Sequence, residues 1–371
     1  MYPGTAWFTL VKMELEAKIH ARAGVGSEPR DIRDLLLAEL EAWVIAAGQP
    51  QFRAKQLAQW LYGRRVESFD AMANLPFPFR QDLKLYFNLS PVPVAAVKRS
   101  VDGTVKLLLR LTDGREIESV IIPTPERTTL CISSQAGCAM KCAFCATARM
   151  GLERNLSAGE MVAQVITASR YLEAGQHLTN YVFMGMGEPL GNYPRLLRAL
   201  TIMTAPWGMG ISPRRITVST VGLVPMIEKL MADTQVHLAV SLTATTNELR
   251  NRLAPINRRY PLEQLLECCR RLDLGRRRIT FEYVMLAGVN DSPADAARLA
   301  KLMAPLRAKV NLLLFNPFPG AEFTPSSRQA VERFQAHLSK ANLTATIRES
   351  RGQDIAAACG QLRVEHQGQA H

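Results

Sequence analysis

The sequence predicts an α/β protein: an open, partial barrel of six strand–helix units, preceded by a small N-terminal helical domain and a short antiparallel β extension. Three observations carry this. Apolar residues recur at spacings of three and four from about Asp31 to Leu89, the period drops to two between Val94 and Ile122, and strand-like runs then alternate with helical ones from Thr129 to Phe315. A chain of 371 residues with 47% hydrophobic content has room for two or three domains.

Residues 1–30 are poorly patterned, and Met13 begins a more ordinary protein start. Residues 31–93 form the helical domain. Ile32, Leu35, Leu36, Leu40, Trp43 and Val44 mark one apolar stripe, followed by Phe52, Leu57, Trp60 and Leu61 with Arg53, Lys55, Arg64 and Arg65 between them. Such interleaving could line an RNA-binding face, or equally a solvated face over an aromatic core. Residues 94–126 form the β extension. Val105, Leu107 and Leu109 alternate with Lys106, Leu108 and Arg110, and Asp102-Gly103 and Asp113-Gly114 are hairpin turn signals. Glu118 places a charge inside the apolar run IESVIIP, for which an outward-facing position is the default reading.

Residues 127–365 form the core, and 366–371 a tail. Ser157-x-x-Glu160 has the form of a capping box, and its helix should run to Glu173 and end before Gly175. Strands are expected at Thr129–Ile132, Tyr181–Met184, Ile216–Thr220, Val236–Leu242, Ile279–Leu286 and Val310–Phe315. Strand-then-helix order demands parallel pairing with right-handed crossovers, and six units fall short of the eight that close a full barrel. In such folds the working residues lie at the C-terminal ends of strands. A cysteine run follows strand one, Met186-Gly187-Glu188-Pro189 follows strand two, Ser219-Thr220 ends strand three, Ser241-Leu242-Thr243 ends strand four, and Asn316-Pro317 ends strand six. Beyond them come a helix near Ser326 to Lys340 and a strand at Thr344 to Arg348. Cys359 then sits in an Ala-rich segment after Arg348 and Arg351, either an inert small hydrophobe or an exposed thiol of lowered pKa. Cys268 and Cys269 lie in an apolar helical run and read as packing residues.

The stretch from Cys131 to Gly151 reads CISSQAGCAMKCAFCATARMG, with Cys138, Cys142 and Cys145 at C-x3-C-x2-C spacing. Three thiolates can hold three irons of a 4Fe–4S cube and leave the fourth iron open. A structural zinc site would need a fourth ligand from a close-spaced partner pair, and none follows Cys145. A disulfide framework is unnecessary in a chain long enough to bury its own core. The balance of 45 basic against 33 acidic residues, a net charge of +12, favours a polyanionic partner. The longest uncharged stretch, Ala199 to Pro213, is too short to span a bilayer, and the segment Ala6 to Val11 lacks a preceding basic region, so no membrane span or signal peptide is expected. Clustered free thiols fit a reducing cytoplasm.

The triplet with Phe144 before its last cysteine resembles the radical S-adenosylmethionine (SAM) superfamily. The fuller set resembles one branch, the RlmN/Cfr RNA methyltransferases, over residues 31–365: FRAKQLAQWLY, IESVIIP, the cysteine run, FMGMGEPL, RRITVST, FEYVML, NPFPG and RGQDIAAACGQL. The resemblance implies a barrel of the radical SAM type, one 4Fe–4S cluster per chain on Cys138, Cys142 and Cys145, and two SAM consumed per methylation. One SAM methylates Cys359. The second yields a deoxyadenosyl radical that takes a hydrogen from that S-methyl group, and the methylene radical adds to adenine. Cys131 then forms a disulfide with Cys359 that releases the product, and Glu118 is the proton acceptor. Carried over by position, Gly187, Glu188, Ser219, Ser241, Leu242, Thr243 and Asn316 contact SAM. Thr243 departs from the family pattern, which has His there, so a contact made by imidazole would be lost or replaced by the Thr hydroxyl.

The same resemblance implies 23S rRNA as partner, with tRNA, a reductase or flavodoxin-type electron donor, a monomer and a cytoplasmic location. RlmN-type enzymes methylate C2 of adenine and Cfr-type enzymes C8. The helical N-terminal segment looks RlmN-like, although the motifs do not decide between the carbons. A reading from another class keeps the cluster as a structural centre of an RNA-binding protein, and the open fourth iron argues against it.

Overall fold

Residues 29–362 are described by a computed structural model, in which the chain divides into two compact units. The readings placed on residues 1–28, including the start at Met13, and on the tail beyond 362 lie outside the described residues.

One unit comprises the chain up to Pro91 with Ser157–Ile166 and Arg198–Ile211. It opens with the short strand β1 (Arg30–Asp31), continues through helices α1 (Leu37–Ala46), α2 (Phe52–Ala58) and α3 (Phe77–Tyr86), and closes with β2 (Phe87–Asn88), which pairs parallel with β1. The three-and-four stripe folds inward. Leu40, Trp43, Val44, Leu57, Leu61, Phe79 and Leu83 are all buried, and Trp43 stacks on Phe79 at 5.8 Å and meets the edge of Phe87 at 4.9 Å. Burying such side chains contributes about 1.5–3 kcal/mol each before chain entropy is counted. Glu39 caps α1 by accepting from the Leu36 N–H at 2.8 Å. Phe52 and Phe77 remain largely exposed.

The other unit carries a ten-stranded sheet. Its antiparallel part is β3 (Val94–Arg99), β4 (Val105–Arg110), β5 (Glu116–Thr124) and β6 (Arg127–Cys131). Gly103 and Gly114 occupy the turns with φ of +85° and +79°, a region glycine enters without strain, beside Asp102 and Asp113, which accept from the N–H groups two residues on. After β6 come a small hairpin of β7 (Gln135–Gly137) and β8 (Leu152–Asn155), with the short helix α4 (Ala146–Arg149) between them. The chain continues through α5 (Ala158–Ala168), β9 (Asn180–Phe183), α6 (Tyr193–Thr204), β10 (Ile216–Thr220), α7 (Val224–Asp233), β11 (His237–Ser241), α8 (Asn247–Leu253), α9 (Leu262–Arg271), β12 (Ile279–Met285), α10 (Pro293–Met303), β13 (Ala308–Leu314), α11 (Arg328–Lys340) and β14 (Ala345–Arg348).

The sheet order is β14-β13-β12-β11-β10-β9-β6-β5-β4-β3, parallel from β6 to β14 and open at both edges. The six expected parallel strands are all present. A seventh, β14, joins them because β13, α11 and β14 repeat the strand–helix–strand step. The antiparallel strands share this same sheet. Ser157 and Glu160 form the expected box, with Glu160 N–H donating to Ser157 Oγ at 3.1 Å and Ser157 N–H to Glu160 Oε2 at 2.8 Å. The helix they open ends at Ala168, short of Glu173, in a single 3-10 turn over Ser169–Tyr171. Cys268 and Cys269 are buried in α9, as packing residues should be.

Candidate active site

The cysteine loop leaves the end of β6 and is pinned at several points. Cys138 N–H donates to the Gly151 carbonyl at 2.8 Å, and Ala143 N–H to the Leu253 carbonyl at the end of α8 at 2.9 Å. Only glycine fits at 137, where φ is +75° and a Cβ would stand 1.9 Å from the Gly151 oxygen. Cys138, Cys142 and Cys145 are free thiols. Burial raises all three, Cys138 to about 12 and Cys142 well above its ordinary value. At Cys138 a Met140 backbone hydrogen bond opposes the rise while Cys145 and Glu188 add to it, at Cys142 Cys145, Cys138 and Glu188 add to it, and at Cys145 hydrogen bonds from Ala148 and Thr147 work against it. Buried thiols raised in this way suit a cationic metal centre, which would reverse that shift. Among the described residues no three His, Cys, Asp or Glu side chains converge on a point where one ion would sit. Three loop thiols can each bind a different iron of a multi-iron cluster.

Gly187 and Glu188 follow β9. Gly187 has φ +99°, and a Cβ there would lie 2.5 Å from Gln135 Cβ. Gln135 Oε1 accepts from the Glu188 N–H at 2.8 Å, which fixes the turn. The Glu188 carboxylate is buried and accepts from Leu190 N–H at 3.0 Å and Val221 N–H at 2.9 Å. Burial outweighs these bonds and pushes its pKa up to about 7. A carboxylate has about four acceptor positions, so with Thr220 as a third partner it can still accept from a further donor such as an ammonium.

Ser219 lies half-buried near the end of β10, and Ser241 half-buried at the end of β11. Leu242 and Thr243 are fully buried. Thr243 takes φ +56°, and its hydroxyl has no hydrogen-bond partner among the described residues, while its carbonyl accepts from Asn290 at 2.8 Å. Behind these strand ends stands Arg250, which has no exposed surface and donates to the carbonyls of Val221, Ser241 and Leu242.

Cys359 reaches the same rim from the other end of the chain. Ala146 N–H, next to Cys145, donates to the Gly360 carbonyl at 2.7 Å, and Asn316 Nδ2 donates to the Cys359 carbonyl at 3.3 Å. Gln353 Nε2 holds Asn316 Oδ1 at 2.9 Å, and Gln361 Nε2 holds the Pro317 carbonyl at 2.7 Å. Cys359 is an exposed residue with protein packed close around it. These surroundings, then Cys131, Cys145 and Glu282, push its pKa up, opposite to the lowering its neighbouring arginines suggest. Cys131 is buried and pushed up to about 12 by that burial. Glu118 does not face outward. It is buried with its Oε1 3.3 Å from Lys106 Nζ, and the same ammonium donates to the Ala356 carbonyl at 3.0 Å, three residues before Cys359.

Residues 132–300 match the radical SAM superfamily, and residues 30–88 match the ribosomal RNA large subunit methyltransferase N-terminal domain. A radical SAM methyltransferase from Sphaerobacter thermophilus superposes with a TM-score of 0.87 at 49% identity, over 90% of this chain and 99% of its own. The dual-specificity RNA methyltransferase RlmN of Syntrophobacter fumaroxidans is 49% identical over 91% of this chain and 99% of its length, and that of Anaeromyxobacter sp. strain Fw109-5 is 50% identical over 91% and 92%. The chain belongs to the RlmN family.

Membership brings the superfamily's pair of cofactors, SAM and a 4Fe–4S cluster. Three residues that shape the site of this RlmN-family chain carry no mark in the sequence. Gln135 anchors the Gly187-Glu188 turn, Lys106 pairs Glu118 from the neighbouring strand, and Arg250 ties three strand-end carbonyls. Only Lys106 carried a faint one: it is a basic residue inside the apolar run VKLLLR, next to a run whose central charge is acidic.

Proposed function

We propose that this RlmN-type radical SAM RNA methyltransferase methylates C2 of one adenine in the peptidyl-transferase region of 23S rRNA and the adenine beside the anticodon of tRNAs, with Cys359 as the methyl carrier. The observation that carries this reading is the bond from Ala146 N–H to the Gly360 carbonyl, which ties the Cys359 loop to the cysteine loop. When bound on Cys138, Cys142 and Cys145, a 4Fe–4S cluster with SAM would supply the deoxyadenosyl radical that makes a methyl carbon reactive enough to add to an electron-poor ring carbon.

The chain's own residues do the rest. Glu188, Ser219, Ser241 and Asn316 hold SAM through its ammonium, carboxylate and hydroxyl groups, with Gly187, Leu242 and Thr243 shaping the pocket by backbone. Cys359 Sγ accepts a methyl group from one SAM and presents it to the second, so that two are consumed per product. Glu118 accepts the ring proton. After the adduct has also passed its odd electron to a one-electron acceptor, the Cys131 thiolate attacks Cys359 Sγ. The S–CH2 bond breaks with its electron pair staying on carbon, and that carbon takes a proton, leaving the methylated base and a disulfide between Cys131 and Cys359. A disulfide cycle needs a two-electron reductant and the cluster a one-electron donor, roles suited to a cellular reductase or flavodoxin in a reducing cytoplasm. The chain acts as a monomer with one cluster.

RNA engagement is supported by the net charge of +12 and by the helical unit, where Arg53 lies 5.1 Å from the exposed Phe52 ring and Arg80 lies 5.8 Å from the exposed Phe77 ring. No helix among the described residues is long and apolar enough to cross a membrane. The test is mass spectrometry of digested 23S rRNA from a deletion strain, with and without the purified enzyme. Loss of 2-methyladenosine on deletion and its return on addition are expected. Persistence after deletion, or formation of 8-methyladenosine alone, overturns the assignment to C2.

A further inference from the structure

Arg250 is a charge buried without a counter-charge. Its Nε donates to the Leu242 carbonyl at 3.3 Å, Nη1 to Asn257 Oδ1 at 3.1 Å, and Nη2 to the carbonyls of Val221 at 2.5 Å and Ser241 at 3.4 Å. Every acceptor is neutral. Taking a cation out of water costs several kcal/mol even after the protein relaxes, and neutral dipoles offset only part of that. A fold that needed merely to tie these strand ends together could use an amide side chain.

Its surroundings show where a negative charge would come from. Val221, whose carbonyl Arg250 binds, packs with Cys142, Ala148 and Ala254. The helix that carries Arg250 ends at Leu253, whose carbonyl receives the Ala143 N–H of the cysteine loop. The ionisable groups close enough to act on the guanidinium are the thiols of Cys142 and Cys269, and of these Cys142 belongs to the triplet.

We propose that Arg250 is a positioning residue for electron delivery: its fixed charge, held behind Cys142, raises the reduction potential of the cluster that Cys138, Cys142 and Cys145 hold. The inference rests on reading those three thiolates as cluster ligands. A 4Fe–4S core with three thiolates carries one net negative charge when oxidised and two after it takes one electron from an external reductant. A buried cation stabilises the second state more than the first, so it favours reduction. No bond forms or breaks at Arg250.

The experiment is a potentiometric titration with dithionite and mediators, followed by the electron paramagnetic resonance signal of the reduced cluster, on anaerobically reconstituted full-length protein without SAM or RNA. Arg250→Met should reconstitute with a more negative midpoint than wild type, and Arg250→Lys should lie nearer wild type. Should Arg250→Met fail to fold, Asn257→Asp serves in its place, because it sets a carboxylate against Nη1 and should shift the midpoint in the same negative direction. An unchanged midpoint in Arg250→Met, or in Asn257→Asp where it is the variant measured, at wild-type iron and sulfide content overturns the proposal. Failure of wild type to take up iron and sulfide would instead overturn the ligand assignment beneath it.

Discussion

Lys106 and Glu118 form a buried ion pair across neighbouring antiparallel strands, with Nζ and Oε1 3.3 Å apart and both side chains almost fully enclosed. In the ladder Leu108, not Lys106, stands opposite Glu118, so the long lysine side chain reaches diagonally to the carboxylate. The same ammonium holds the Ala356 carbonyl. The proposed proton acceptor and the loop of the proposed methyl carrier thus share one cation.

Breaking this pair should separate stability from chemistry. Lys106→Met leaves a buried carboxylate without its counter-charge and should cost about 3–5 kcal/mol in urea unfolding. Glu118→Gln leaves the buried Lys106 ammonium without its carboxylate and should cost a comparable amount, about 3–5 kcal/mol, but in addition RNA methylation by the folded variant should fall at least a hundredfold, the scale of a lost general base. Methylation of Cys359 itself should persist in Glu118→Gln. Its disappearance would move Glu118 out of the proton-acceptor role.

Asp102 tethers the C-terminal loop from the hairpin turn, accepting the Gly352 N–H at 2.9 Å, while Asp354 from that loop accepts from Ser100 Oγ at 2.6 Å. Burial alone would raise the Asp102 carboxyl, but hydrogen bonds from Thr104, Gly352 and Ser100 outweigh it and hold it down at about 2 against an ordinary 3.8. A lowered carboxyl pKa means that the tie is complete above a pH of about 4 and is lost as pH falls through 2. Asp102→Ala should slow Cys359 methylation roughly threefold to tenfold, the equivalent of one hydrogen bond, and should raise proteolytic cleavage near Gly352. Equal rates and equal cleavage would show that the turn does not position the loop.

Gly187→Ala would drive a methyl group into Gln135 at a φ of +99°. The expected cost is about 1–3 kcal/mol of stability. SAM affinity measured by equilibrium dialysis should weaken further than stability alone explains, because Gln135 also fixes the Glu188 N–H.

Cys131→Ala removes the attacking thiol but leaves Cys359 able to carry a methyl group. The proposed cycle then stalls after carbon–carbon bond formation, and a covalent RNA–protein species should accumulate on denaturing gels, cleavable only between Cys359 and the base. Full turnover by Cys131→Ala would eliminate the disulfide step.

Much of this architecture was legible in the sequence, because parallel strands buried on both faces read as apolar runs and Asp-Gly pairs mark the hairpin turns. The shortfall lies where partners come from distant parts of the chain. Strand β14 reads as a strand, but only its pairing with β13 adds it to the parallel set. Arg250 sits in TNELRNRL, where nothing sets it apart from the neighbouring charged residues, and only the packing of α8 encloses it. Glu118 could be recognised as unusual from its apolar neighbours, whereas its inward direction follows from the sheet that β4 and β6 build on either side. Thr243 was marked by its departure from the family pattern, and the buried, unpartnered hydroxyl there is visible only in three dimensions.

The central claim, that Cys359 carries the methyl group before RNA receives it, is tested most directly by reacting anaerobically reconstituted enzyme with SAM bearing a fully deuterated methyl group. The account predicts label on the Cys359 peptide first, then a methyladenosine retaining two of the three deuteriums, with the third found in deoxyadenosine. A product that keeps all three, or a Cys359 peptide that never gains label, would contradict it.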